Sequence, residues 1–156
     1  DLKLMDVVDA IVKVEAPVHV EDVISRIRVA WNYGRAGKRI RTKILGAIEL
    51  AKNHGRIRIH NDFIWQAGQS QVEPRRRSFE TAPKIDRICS EEIFATMKKL
   101  IEFQGATPQD ELIKATAKLM GFSAVHNSTA QHLNDLIQSL LREEMLTCDS
   151  SGHIYL

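Results

Sequence analysis

The strongest constraint on the fold of this chain is an internal repeat with an offset of 89 residues. When the sequence is aligned with itself at that offset, apolar residues coincide along three successive segments and the loops between them. One residue has to be inserted at the tip of the last hairpin to keep the register. The coinciding pairs include Met5 with Phe94, Val8 with Met97, Val23 with Leu112, Ile48 with Ile137, and Ile64 with Ile154. A conserved apolar pattern with few identities predicts two copies of one small unit.

Each copy is predicted to contain three helices followed by a β-hairpin. Apolar residues recur at helical spacing in the helices, and they alternate with polar residues in the first hairpin. The predicted helices span 4–15, 20–31 and 39–53, then 90–104, 108–120 and 129–144, and the predicted hairpins span 56–65 and 146–156. This order is typical of a winged helix-turn-helix. We therefore expect a mainly α fold with small β-hairpins (α+β), in which winged-helix-like units at 1–66 and 90–156 are joined by a linker at 67–89.

Three helix ends can also be predicted. Thr107 is expected to cap the second helix of the second copy, because Pro108 suits the first helical position and Asp110 lies three residues after the cap. Gly34 and Gly121 are expected to end the second helix of each copy, because glycine readily adopts the left-handed conformation found there.

The basic residues of the chain are concentrated in its first half. Residues 1–77 hold 15 Lys and Arg and 9 Asp and Glu, a net charge of +6, whereas residues 78–156 hold 7 and 11, a net charge of −4. In a winged helix, cations on the third helix and the hairpin face nucleic acid, where they neutralise phosphates and release counterions. The candidate nucleic-acid-binding residues are Arg35, Lys38, Arg39, Arg41, Lys43, Arg56, Arg58, Arg75, Arg76 and Arg77.

The same cations have a simpler interpretation, as a solvated surface or a protein contact. Arg75, Arg76 and Arg77 in particular are either a flexible basic arm, an exposed linker, or partners of acidic residues in the second copy. The second copy has no cations at the positions equivalent to the first five, where Ala124, Asn127, Ser128, Ala130 and His132 stand. It is therefore expected to be a packing or protein-interaction module.

The large aromatic residues favour packing over base stacking. Trp31 coincides with Met120 in the repeat, and Trp65 coincides with Tyr155. Because both copies place a large side chain at these positions, we expect the aromatic residues to pack on the core or between hairpin and helix.

Motifs for catalysis and metal binding are absent from the sequence. There is no phosphate-binding GxxxxGK[ST] or GxGxxG loop, and the six histidines and two cysteines lack the spacing of a zinc site. We therefore expect no enzyme activity, no catalytic residue, no metal and no cofactor. Without an apolar run of about 20 residues no membrane span is expected. The two cysteines, Cys89 and Cys148, allow a disulfide, but two free thiols in a reducing compartment are the favoured interpretation, which predicts a cytoplasmic location. The start at Asp1 suggests a piece of a longer protein.

Several short stretches resemble an uncharacterised C-terminal domain of very large bacterial proteins, which are similar to superfamily 1 DNA/RNA helicases. The stretches are Val14–His19, Arg35–Ile40, Asp62–Trp65, Ile88–Ile93, Asp110–Leu112 and Leu119–Phe122. The resemblance implies that the ATPase motifs lie elsewhere in the parent protein, and it transfers no functional residues. With it, we expect a non-catalytic accessory module of a helicase-like chain that binds DNA or RNA. The alternative is a protein–protein interaction or scaffolding module that docks on the parent motor or a partner.

Overall fold

The computed structural model describes residues 2–34 and 37–156 and has a mixed α+β fold. These residues form six α-helices and two small three-stranded antiparallel sheets. The chain divides into two compact units, Asp1–Gln71 and Val72–Leu156. The segment predicted to be a linker, 67–89, is thus shared between the units. None of the described helices has the length and apolarity needed to cross a membrane.

The first unit contains three helices and one sheet. Its elements are α1 (Leu2–Glu15), β1 (Val18–His19), α2 (Val20–Ala30), α3 (Lys38–Asn53), β2 (Ile57–His60) and β3 (Phe63–Gln66). The core forms where the helical apolar faces meet: Val8 of α1, Ile27 of α2 and Ile44 of α3 are almost completely buried. Burial of one such side chain contributes roughly 1.5–3 kcal/mol, and the unit has a core of its own.

The sheet of the first unit has β3 as its central strand, with β1 on one side and β2 on the other. Ile64 of β3 lies opposite Val18 of β1 and Ile59 of β2. The hairpin of β2 and β3 confirms the sequence prediction. The third strand was not predicted, because two residues are too few to show an alternating pattern. Its pairing ties the α1–α2 connection to the hairpin.

The ends of α2 depend on side chains that the sequence pattern did not single out. The Nδ1 atom of His19 accepts a hydrogen bond of 3.0 Å from the backbone N–H of Glu21 and so caps the start of the helix. At the other end Asn32 adopts the left-handed conformation, with φ of 53°. The prediction that Gly34 ends this helix was wrong. Asparagine is among the few non-glycine residues that tolerate this conformation, so it replaces glycine here.

The second unit has the same order of helices and strands, preceded by a 3-10 helix at Ile85–Arg87. Its elements are α4 (Ser90–Gln104), β4 (Thr107–Pro108), α5 (Gln109–Leu119), α6 (Asn127–Arg142), β5 (Thr147–Cys148) and β6 (His153–Tyr155). The strand order is β4-β6-β5. The N-cap prediction for Thr107 was wrong, because this residue pairs with Ile154 in the sheet and Pro108 takes the cap position.

Gly121 ends α5 as predicted, and the structure gives two reasons for a glycine there. Its φ is 93°, a conformation that residues with a Cβ rarely adopt. A Cβ at this position would also lie 2.8 Å from the carbonyl oxygen of Arg77. The segment before the 3-10 helix therefore passes directly over the end of α5.

Candidate nucleic-acid interface

The cations of the first two turns of α3 fall into two groups. Lys38, Arg39 and Lys43 are exposed, and none of the three has an ion pair within residues 2–34 and 37–156. Arg41 instead forms a two-pronged ion pair with the carboxylate of Glu21 on α2. Arg35, also predicted to bind nucleic acid, lies outside the described residues. We call Lys38, Arg39 and Lys43 the basic cluster.

The pairing of Arg41 with Glu21 neutralises a cation that the sequence assigned to the interface. Both guanidinium nitrogens Nη1 and Nη2 donate to the carboxylate. Because these hydrogen bonds and the negative charge favour the charged guanidinium, the pKa of Arg41 is raised. The pair joins the first turns of α2 and α3, which gives Arg41 a structural contact within the unit.

The predicted cations of the hairpin are also engaged within the first unit. Nη1 of Arg56 lies 3.0 Å from Oδ1 of Asp6 and 3.9 Å from Oδ2 of Asp9, both on α1. The guanidinium of Arg58 lies 4.3 Å from the ring centroid of Trp65, and its Nη2 donates a 2.8 Å hydrogen bond to the carbonyl of Gln69. These contacts hold Arg56 against α1 and Arg58 against the hairpin, which makes both side chains less available to phosphates.

Two of the three consecutive arginines in the predicted linker are anchored by one buried acid. Glu92 is 1% exposed, and its two carboxylate oxygens lie 3.2 Å from Nε of Arg75 and 2.7 Å from Nη2 of Arg77. Arg76, between them, is exposed. The structure thus places Arg75 and Arg77 with an acidic residue of the second unit, one of the alternatives that the sequence left open.

An aromatic pair beside the basic cluster was missed by the sequence interpretation. Trp31 and Tyr33 are 38% and 42% exposed, and their rings meet edge to face with centroids 6.1 Å apart. Trp65, by contrast, is buried as expected. The repeat misled the expectation for Trp31, because its counterpart Met120 is 1% exposed. The usable signal was local: two aromatic residues immediately before a run of cations.

These aromatic residues and two members of the basic cluster line one cleft of about 150 Å³. We call it the aromatic cleft. Trp31 and Tyr33 approach it from the end of α2, and Arg39 and Lys43 from successive turns of α3. Its apolar floor includes Ile27 and Ile44, which are almost completely buried. The arrangement combines two exposed aromatic rings, set edge to face, with two positive charges.

The described part of the chain contains no group of three His, Cys, Asp or Glu side chains placed to hold a metal ion. Both cysteines are free: Cys148 is exposed, and Cys89 is buried. Burial disfavours the thiolate and raises the pKa of the Cys89 thiol to about 12. Because the thiolate is the reactive form, Cys89 is a poor nucleophile at neutral pH.

Comparison with known proteins finds a similarity that is confined to the first 42 residues of the chain. Residues 1–42 match the model of a family described as a protein of unknown function, DUF3320. The matched residues contain α1, α2 and the first turn of α3, including the stretches Val14–His19 and Arg35–Ile40. No curated protein and no solved structure matches the chain. The match supports the resemblance to a domain of unknown function, while the association with helicases stays a prediction.

Proposed function

We propose that this chain is a non-catalytic nucleic-acid-binding module, which serves a larger helicase-like protein and binds DNA or RNA mainly through phosphate contacts of its first unit. The observation that carries the proposal is the basic cluster. Lys38, Arg39 and Lys43 are exposed on one end of α3 with no ion pair in the described ranges, although carboxylates neutralise other cations of this unit. A surface that keeps unpaired cations together favours an anionic partner.

The position of the cluster on its helix supports an anion as the partner. The first turn of α3 contains no acidic residue and begins with Lys38 and Arg39. Cations near the positive end of the helix dipole are unfavourable by about 0.3–1 kcal/mol each. A phosphate at this helix end would interact favourably with the backbone N–H groups and with the cations. Binding of nucleic acid would therefore relieve a repulsion present in the free protein.

We also propose that each unit is a winged helix, with α3 as the recognition helix of the first and the β2–β3 hairpin as its wing. The order of elements supports this assignment, since three helices precede a hairpin in both units. In a winged helix the recognition helix contacts a groove through its N-terminal residues. Those residues in α3 are the basic cluster, so phosphate contact and groove insertion would use the same end of the helix.

The second unit would contribute less to nucleic-acid binding. At the positions equivalent to the basic cluster it carries Asn127, Ser128 and His132. Polar side chains of α5 and α6 also form hydrogen bonds with each other: Nε2 of Gln109 on α5 donates a hydrogen bond to Oδ1 of Asn134 on α6. We therefore assign phosphate binding to the first unit.

One observation favours a second candidate function, docking onto another protein or another part of a longer chain. Phe103 at the end of α4 is 91% exposed, and Val14 at the end of α1 is 83% exposed. The two residues are equivalent in the repeat. Aromatic residues such as Phe103 are enriched at protein–protein interfaces, and an exposed apolar side chain at the same position of both units would suit such a contact. A docking role does not require the basic cluster, and this difference separates the two candidates.

Fluorescence anisotropy with labelled duplex, forked and single-stranded DNA, at two salt concentrations, tests the proposal. The double variant Arg39→Ala/Lys43→Ala should bind more weakly than the unmodified protein. Each lost phosphate contact should make the plot of log K against log salt shallower by about 0.7–0.9. We therefore expect the slope of the double variant to fall by about 1.4–1.8 if both residues contact phosphates.

The matched control is Lys114→Ala/Lys118→Ala, which removes the same charge from exposed positions on α5 of the second unit. This control should leave both affinity and salt slope nearly unchanged. Equal losses in the two double variants would mean that only net charge matters and that the basic cluster is not a site. No binding by the unmodified protein at low salt would rule out the proposed function.

A further inference from the structure

The aromatic cleft has the properties of a binding site rather than of an incomplete core. Trp31 contacts Tyr33 at the surface, whereas its counterpart in the second unit, Met120, is buried. The two aromatic rings lie beside Arg39 and Lys43, whose charges are unpaired within residues 2–34 and 37–156. A single exposed aromatic residue would need no explanation. Two adjacent aromatic residues that share a cleft with two cations suit a ligand that is both planar and anionic.

We propose that the aromatic cleft holds an unpaired nucleobase of a single-stranded nucleic acid, which stacks on Trp31 with Tyr33 at its edge, while Arg39 and Lys43 contact the adjoining phosphates. This inference rests on the proposed function and deepens it, because it adds an unpaired base, in a single strand or at a fork, to the phosphate contacts of the first unit. Proteins that bind single strands combine a positively charged groove with aromatic side chains in this way, and such stacking tolerates any base.

The size of the cleft favours one base over other ligands. Pockets for drug-sized molecules are about 300–1,000 Å³, whereas this cleft measures about 150 Å³. It therefore suits a single planar ring and leaves the rest of the ligand outside, on the side of the basic cluster. The bases of a duplex stack on one another and offer no free ring face to a protein. An unpaired base, in a single strand or at a fork, offers both faces.

A comparison of two single strands separates stacking from phosphate contact. One strand is oligo(dT), and the other has the same length and number of phosphates but carries abasic sugars. The unmodified protein should bind oligo(dT) more tightly than the abasic strand. Because stacking of one base changes affinity by about 5- to 150-fold, Trp31→Ala should lower the affinity for oligo(dT) by a factor in that range. Its affinity for the abasic strand should stay within about twofold.

Two further variants show whether weaker binding results from the loss of stacking or from misfolding. Tyr33→Ala changes an exposed residue outside the helices and should weaken binding of oligo(dT) in the same selective way. Phe79→Ala removes an aromatic side chain that is 69% exposed in the second unit, and it should have no effect. Circular dichroism melting of all three variants checks that the fold is intact.

The fluorescence of Trp31 gives a direct readout, since the chain has only two tryptophans. In the variant Trp65→Phe, Trp31 is the single source of indole emission. Oligo(dT) should quench this emission at saturation, and the abasic strand should quench it little. Poly-glutamate, a peptide polyanion, serves as a further comparison and should also quench little.

The outcomes distinguish this inference from the function on which it rests. If neither strand binds at low salt, the nucleic-acid function itself fails. If both strands bind and Trp31→Ala weakens both equally, the nucleic-acid function stands and the base-binding cleft is overturned. Quenching of Trp31 by poly-glutamate as strong as that by oligo(dT) would also overturn the assignment to a nucleobase.

Discussion

Replacing Arg77 with alanine should destabilise the second unit, whereas the same change at the neighbouring Arg76 should have little effect. The side chain of Arg77 is only 13% exposed, and its Nη2 lies 2.7 Å from Oε2 of Glu92, which is almost fully buried. The side chain of Arg76 is exposed and lies next to it in sequence. The two variants lose the same charge from the same tripeptide, so any difference between them reports the contact with Glu92.

The expected size of the effect follows from the burial of Glu92. Removing one partner of a buried ion pair costs about 3–5 kcal/mol when the other charge is left uncompensated. Here Arg75 remains, with its Nε 3.2 Å from Oε1 of Glu92. We therefore expect a smaller loss of about 2–3 kcal/mol, close to the value of about 1.5–3 kcal/mol for a hydrogen bond to a charged group. Arg76→Ala should change stability by less than about 0.5 kcal/mol.

Thermal unfolding followed by circular dichroism measures this difference. For a unit of the size of Val72–Leu156, 1 kcal/mol corresponds to about 4–8 °C in Tm, so Arg77→Ala should lower the Tm of the second unit by about 8–24 °C relative to Arg76→Ala. Hydrogen exchange locates the loss, which should affect amides of α4 and leave those of α1 protected. If the two variants have the same Tm, Arg77 does not anchor residues 75–77, and this result would favour the alternative interpretation of these residues as a flexible basic arm.

Two further predictions concern the second unit. Gly121→Ala should lower the free energy of unfolding, measured by denaturant titration, by at least about 1–3 kcal/mol, the usual cost of a non-glycine residue in a sparsely populated backbone conformation. The new Cβ would also lie 2.8 Å from the carbonyl oxygen of Arg77. The control is Gly152→Ala, which should cost less because Gly152 also has a positive φ, of 81°, but no atom lies within 4 Å of its new Cβ. At pH 8 a disulfide reagent should label one thiol per chain, Cys148, and a second only after unfolding, since the pKa of Cys89 is raised to about 12. As the pH rises above 9, the Cys89 thiol ionises in the unfolded chain before it does so in the folded chain, so the free energy of unfolding should fall between pH 9 and 12. Rapid labelling of two thiols in the folded protein would contradict the burial of Cys89.

The helices could be predicted closely because their signal is local and periodic. The predicted span 90–104 agrees with α4 at both ends, and the predicted third helix of the first unit differs from α3 by one residue. β1 and β4 could not be predicted, because strands of two residues carry no period. Their place is decided by the hairpin strand with which they pair, which lies more than 40 residues away.

At the candidate site, the ion-pair partners of the predicted cations could not be predicted from the sequence. All ten predicted cations were chosen by their position along the chain, but their partners are distant: Glu21 lies 20 residues from Arg41, and Asp6 lies 50 residues from Arg56. Such pairs appear only when the tertiary structure brings the helices together. Whether a cation is neutralised was therefore not predictable, whereas the aromatic pair Trp31 and Tyr33 had a local signal, its place before a run of cations.

The central position of the returning hairpin strand in each sheet has a consequence for association between molecules. Among the strands of the described residues, the unpaired backbone edges belong to β1 and β2 in one sheet and to β4 and β5 in the other, and these strands are two to four residues long. Along β2 the exposed residues include Arg58 and His60, and β4 ends in Pro108, which has no N–H to offer. Short edges with charged residues or proline resist the addition of strands from other chains. The sheets are thus protected against edge-to-edge aggregation by the same strand order that joins each hairpin to its helices.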